Sequence, residues 1–90
     1  MYLAQVIGTV VSTSKDERLV GFKLLLTRRL TEEGLVTGTP EVCVDTVGAG
    51  NGETVIVTKG SSARFAADRR EAPIDSTIVG IVDAVEIGGR

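Results

Sequence analysis

Gly48-Ala49-Gly50-Asn51-Gly52 is followed by a lone lysine, Lys59, and two adjacent serines, Ser61 and Ser62. Such residues serve three chemistries: a dinucleotide cradle, a Walker phosphate loop and a serine nucleophile. The cradle needs G-x-G-x-x-G with a helix behind it, whose N-terminus holds the pyrophosphate. Here the spacing is G-x-G-x-G, Glu53 stands where the last glycine belongs, and residues 54–58 are all β-branched. No G-K-[ST] element occurs, and a carboxylate beside the loop repels phosphate. The chain has no histidine, so neither serine has a histidine base. A Ser–Lys pair with Lys23 or Lys59 is the one remaining nucleophile arrangement, and any serine and lysine would satisfy it. The run therefore reads as a turn, with Asn51-Gly52 as a hairpin signal between two strands. Ser61 or Ser62 reads as a helix cap.

The other reactive types are no more specific. Cys43 is the single cysteine, lies inside a strand pattern and reads as a small core or interface residue. One cysteine without histidine leaves no zinc or copper site and no internal disulfide. Asp16-Glu17 and Glu32-Glu33 sit in polar turns. Arg28-Arg29 and Arg69-Arg70 are isolated basic doublets. With a net charge of −2 and three scattered aromatics, Tyr2, Phe22 and Phe65, no nucleic-acid groove is expected. No catalytic residue, cofactor or metal site emerges.

The elements that would position these residues are mostly strands. Residues 2–12 alternate, with Tyr2, Ala4, Val6, Gly8 and Val10 on one face. Residues 19–30, 41–47, 53–58 and 78–87 supply four further strands. Residues 31–40 read as a polar loop, and residues 61–70 as the only helix. Five short strands and one helix predict an all-β fold, a small five-stranded OB-like barrel with the helix as a candidate plug. A sheet packed by the helix is the competing arrangement.

At 90 residues the chain is expected to form one domain, residues 1–90, and to bury roughly 60–65% of its unfolded surface. Domains that small commonly depend on a staple or a partner subunit. No apolar run approaches the roughly 20 residues of a membrane span, and the first residues lack a signal-peptide pattern, so a cytoplasmic protein is expected. The last strand carries apolar residues on both faces: Ile78, Val82 and Ala84 on one, Val79, Ile81, Val85 and Ile87 on the other. A half-solvated antiparallel strand alternates. The second face is expected to meet another subunit.

Three segments carry a resemblance: VVSTSKDERLVGFKLLL, VDTVGAGNGETVIVTKGSSAR and APIDSTIVGIVDAVE. In this order they resemble the pentameric vertex proteins of bacterial microcompartment shells, such as those of carboxysomes and ethanolamine compartments. The G-A-G-x-G-E turn and the G-S-S-A-R end are the most specific parts. The resemblance implies an OB-like subunit, a ring of five, no enzymatic activity, and a place in the shell beside hexameric shell proteins. Gly48, Ala49, Gly50, Asn51 and Gly52 are expected near the ring axis, because copies of one loop crowd there and small residues fit. Ser61, Ser62, Arg64, Val79, Ile81 and Val85 are the expected subunit-contact residues. Residues 27–40 match the family only loosely. An OB-like adaptor module is the alternative function, and a small enzyme the third.

Overall fold

The computed structural model describes residues 1–88. Five strands, β1 (Tyr2–Val10), β2 (Lys23–Leu30), β3 (Val36–Asp45), β4 (Thr54–Lys59) and β5 (Ser76–Val82), close into a barrel in the order β1-β2-β3-β5-β4. Every pairing is antiparallel except β3–β5, a short parallel contact at Val44↔Thr77 and Asp45↔Ile78. This is the expected all-β barrel. A 3-10 turn spans Glu17–Leu19, and the helix α1 spans Gly60–Ala66.

Aliphatic and small residues line the interior: Ala4, Val6, Leu25, Cys43, Ala49, Val55, Val57 and Ile78 form one buried cluster. Cys43 is a core residue, as its setting predicts. The even face of β1 points inward, again as its alternation predicts. The helix does not enter this interior. It packs against β4 and β5, and Ala63, Ala67, Ala72 and Ile74 bury a second cluster with Val44 on the outer wall. Phe22 and Leu24 pack against that cluster. Leu24 of β2, which faces away from the barrel interior, is thus covered within the chain.

Several boundaries differ from the sequence expectation, each for a local reason. β3 begins at Val36 rather than 41. A bulge opposite Thr27–Arg29 accommodates Gly38 (φ 80°) and Pro40, where proline's missing N–H is tolerated. β5 runs from Ser76 and stops at Val82, because Val82 faces Thr54, the first residue of β4. Residues 83–87 have no ladder partner among the described residues. β2 starts at Lys23, since the 3-10 turn holds residues 17–19 and Gly21 (φ 93°) reverses the chain. The helix ends at Ala66 rather than 70. Asp68 takes a left-handed φ of 55°, and Arg69 N–H returns to the Arg64 carbonyl at 3.0 Å, a Schellman stop.

One end of the barrel is belted by polar contacts from all five strands. The Glu41 carboxylate accepts from Tyr2 Oη (3.0 Å), Lys59 Nζ (2.6 Å) and Ser76 Oγ (3.0 Å). Arg29 stacks over the Tyr2 ring at 3.7 Å from its centroid. Lys59 lies also 3.2 Å from Asp75.

The Lys59 ammonium, with help from Tyr2 and Ser76, holds the Glu41 carboxyl below its ordinary 4.5. Burial, then the hydrogen bond to Glu41, push the Tyr2 hydroxyl up to about 12. A depressed carboxylate stabilises the fold above its unfolded value and loses that contribution as pH falls through the folded value. A raised phenol stabilises below its ordinary 10.0 and loses that contribution as pH climbs toward about 12. The thermal midpoint of the protein should therefore be flat between about pH 4.5 and pH 9, above which the Cys43 thiol, pushed up from its ordinary 9.0 by burial, adds to the loss. Below pH about 4.5 it should fall more steeply in wild type than in Glu41→Gln, as a pH series of melting curves would show. Leu25→Ala, in the core, should cost about 2–5 kcal/mol in urea unfolding at fixed protein concentration.

Candidate functional site

The glycine-rich turn is built from Asp45 outward. This residue ends β3 and is nearly buried, and its carboxylate accepts from the N–H groups of Val47 (3.1 Å), Gly48 (3.1 Å) and Ala49 (3.0 Å). Gly48 takes a φ of 80°, a conformation that costs glycine nothing. Chain reversal there drives Ala49 into the barrel interior, where it is fully buried. Lys23 Nζ donates to the Ala49 carbonyl at 2.9 Å.

Residues 50–53 form the turn proper. Glu53 N–H donates to the Gly50 carbonyl at 3.2 Å, with Gly52 at φ 83°. Glu53 Oε1 accepts from Gly50 N–H at 2.6 Å. Gly52 N–H donates to Val6 O at 2.8 Å, and Val6 N–H donates to Glu53 O at 3.0 Å. These bonds fall beside the β1 bulge between Val6 and Gly8. The sequence reading of Asn51-Gly52 as a hairpin is corrected here. β3 and β4 are not hydrogen-bonded neighbours, and the turn is sewn to β1 instead.

This geometry decides what the turn can do. An anion cradle needs free backbone N–H groups. Those of residues 47–50 are consumed by the Asp45 and Glu53 carboxylates, which also supply negative charge. Phosphate binding is excluded on both counts. Gly48, Asn51 and Gly52 remain exposed on the outer side, whereas Ala49 faces inward.

The serines and Arg64 lie on α1. Neither serine caps the helix. Lys59 occupies the N-cap position without a side-chain cap bond, and Gly60, at φ 65°, makes the strand-to-helix turn with its N–H on Asp75 O at 2.9 Å. Ser61 and Ser62 are exposed within the first turn. Arg64 Nη1 donates to Ile74 O at 3.1 Å, holding the segment that follows the helix. In β5, Ile78 is fully buried, Val79 half-buried and Ile81 partly exposed, and Val85 beyond the strand is 56% exposed. Ser61, Ser62 and Arg64 share one surface, and Val85 lies on another. Phe65, 70% exposed beside Arg64, carried no sequence signal beyond its being one of three aromatics. Glu41 was equally silent, since its partners lie 18 to 39 residues away.

Among the described residues no group of three or more potential ligands could hold a metal ion. No described helix is long and apolar enough to cross a membrane. The turn binds its own carboxylates, and large apolar side chains face outward. That combination defines a small β-barrel building block. Residues 1–83 match the family model described as ethanolamine utilisation protein EutN/carboxysome, and the chain belongs to that family.

It is 60% identical over 86 residues to the bacterial microcompartment shell vertex protein GrpN of Rhodospirillum rubrum (strain F11), covering 96% of this chain and 97% of the relative. It is 47% identical over 87 residues to the carboxysome shell vertex protein CcmL of Synechocystis sp., covering 97% of this chain and 87% of the relative. The solved GrpN pentameric microcompartment shell protein from R. rubrum superposes with a TM-score of 0.85, covering 97% of this chain and 98% of that one. A solved ethanolamine utilization protein, EutN, superposes with a TM-score of 0.92 at 40% identity, covering 99% and 93%. The GrpN and CcmL relatives are named as structural proteins of a shell.

Asp45→Ala should release the turn and leave three N–H groups without their acceptor, costing about 1–3 kcal/mol of stability. Hydrogen exchange at the amides of residues 47–49 should accelerate well beyond that of the β1 and β2 core amides.

Proposed function

We propose that this chain is a structural subunit of a bacterial microcompartment shell, forms a ring of five, and occupies the shell vertices. The observation that carries this is the 60% identity to a shell vertex protein whose solved form is a pentameric shell protein, over nearly the whole of both chains. The physics of the subunit supports it. A cyclic ring needs two different patches on each copy. The chain exposes apolar residues on separate surfaces, with Phe65 on α1 and Val85 and Ile87 beyond β5.

The role follows from geometry. A layer of hexagonal tiles is flat or gently curved and cannot close without five-fold defects. Pentamers supply those defects, so the neighbours at the vertex are hexameric shell proteins. Ser61, Ser62, Arg64, Val79, Ile81 and Val85 serve as subunit contacts. Residues 48–52 lie toward the ring axis, with Gly48, Asn51 and Gly52 rather than the inward-facing Ala49 bordering the opening. The assembled shell is a cytoplasmic structure.

Native mass spectrometry across a dilution series should show a five-subunit species that persists, and a monomer or a six-subunit ring would overturn the vertex assignment. Co-expression with hexameric shell proteins of the same host should give closed particles only when this chain is present. Asn51→Trp should narrow the axial opening while the five-subunit mass is retained. An opening of unchanged width would place the turn away from the axis.

A further inference from the structure

We infer that the ring closes by a knob and a groove of opposite charge, Phe65 of one copy seating between the C-terminal segment and the β2–β3 turn of the next. The inference rests on the vertex reading above and specifies which surfaces meet. The knob is Phe65, 70% exposed on a helix of only seven residues. Its ring forms one wall of a shallow cleft shared with Ser61, Ser62, Arg64 and Arg70. The Arg70 guanidinium lies 5.7 Å from the Phe65 ring centroid, so the aromatic sits in a basic collar.

The groove has the complementary character. It has a volume of about 460 Å³, with Leu3, Leu30, Val85 and Ile87 as its apolar part. Glu32 and Glu33 stand at its rim. Val85 and Ile87 belong to a segment that follows the strand pattern of β5 but has no ladder partner among the described residues, and they are 56% and 39% exposed. The β2–β3 turn supplies the acidic side.

The two surfaces cannot meet within one chain. Thr54, at the start of β4, borders the groove, whereas Lys59, at the end of β4, leads directly into α1. Five strand steps of about 3.3 Å separate them by about 17 Å. One copy therefore offers a basic aromatic knob at one place and an acidic apolar groove at another. That is the form of a heterologous contact, which propagates in one direction and closes into a ring. The occupant fitted by both shape and sign is a second copy of this chain. Aromatic and arginine anchors seated in desolvated pockets are where interfaces concentrate their affinity.

The test is native mass spectrometry of the full chain as wild type, Phe65→Ser, Arg70→Glu, Glu33→Lys and the double variant Arg70→Glu/Glu33→Lys. Melting curves confirm that each is folded. Phe65→Ser should raise the concentration needed to hold the five-subunit species by at least about tenfold. Each single charge variant should weaken the ring, and the double variant, which restores opposite signs across the contact, should regain it. A ring that survives Phe65→Ser at wild-type concentrations overturns this inference and leaves the vertex reading standing. So does a ring unaffected in mass that no longer joins shells, which would assign the knob to a different shell protein. A wild-type chain that forms no ring overturns both.

Discussion

The Asp45 carboxylate is the constraint from which the rest of this barrel follows. It sits where β3 meets β5 in the barrel's one parallel contact, and it gathers three successive backbone N–H groups. Three such bonds turn the chain back over the barrel mouth, and the turn presses Ala49 into the interior cluster. Without that reversal, a barrel of five short strands would have an open end where a water-filled gap replaces packing. The same bonds settle the chemistry of the glycine run. The N–H groups of Gly48, Ala49, Gly50 and Gly52 are satisfied internally, so the loop is architecture and presents no anion cradle. The consequence for function is direct. A rigid, self-satisfied turn offers neighbours a fixed surface.

The opposite end is organised by a second carboxylate. Glu41 joins β1, β4 and β5 by hydrogen bonds, and Arg29 on β2 completes the circuit through the Tyr2 ring. The circuit is partly exposed, and exposed ion pairs alone contribute little. Its value lies in register. A strand that slipped by one residue would break several contacts together, so the belt selects one pairing of the five strands. Between these two ends, alanine, valine, isoleucine, leucine and cysteine side chains fill the interior, with the Tyr2 ring packed against them.

The sequence made legible whatever is local or periodic. Alternation along residues 2–12 located the first strand and its inward face, and the β-branched run at 54–58 located β4. The exclusion of nucleotide and nucleophile chemistry was equally local, resting on a glycine spacing and on the lack of histidine. Long-range contacts were illegible. Asn51-Gly52 carries a genuine turn signal, yet its partner is Val6, 46 positions away. Pro40 reads as a break in sequence, but β3 absorbs it in a bulge that only pairing with β2 reveals. The serines read as caps because the rule is local, while Gly60 made the turn through a bond to Asp75. Phe65 could not be told from a core aromatic until the helix was seen to turn it outward.

The bulge in β3 has one more consequence. β3 is paired with β5 only at Val44 and Asp45, so its earlier half has backbone on one side that no strand covers. Such an uncovered edge invites another chain to extend the sheet, and repeated extension builds fibres. Gly38 kinks this edge and Pro40 removes a donor from it, so a flat intruding strand finds no continuous ladder. A shell component must be abundant, crowded and self-associating. In such a molecule a spoiled edge on β3 turns self-recognition toward side-chain contacts, which favours a closed, countable particle over an open-ended aggregate.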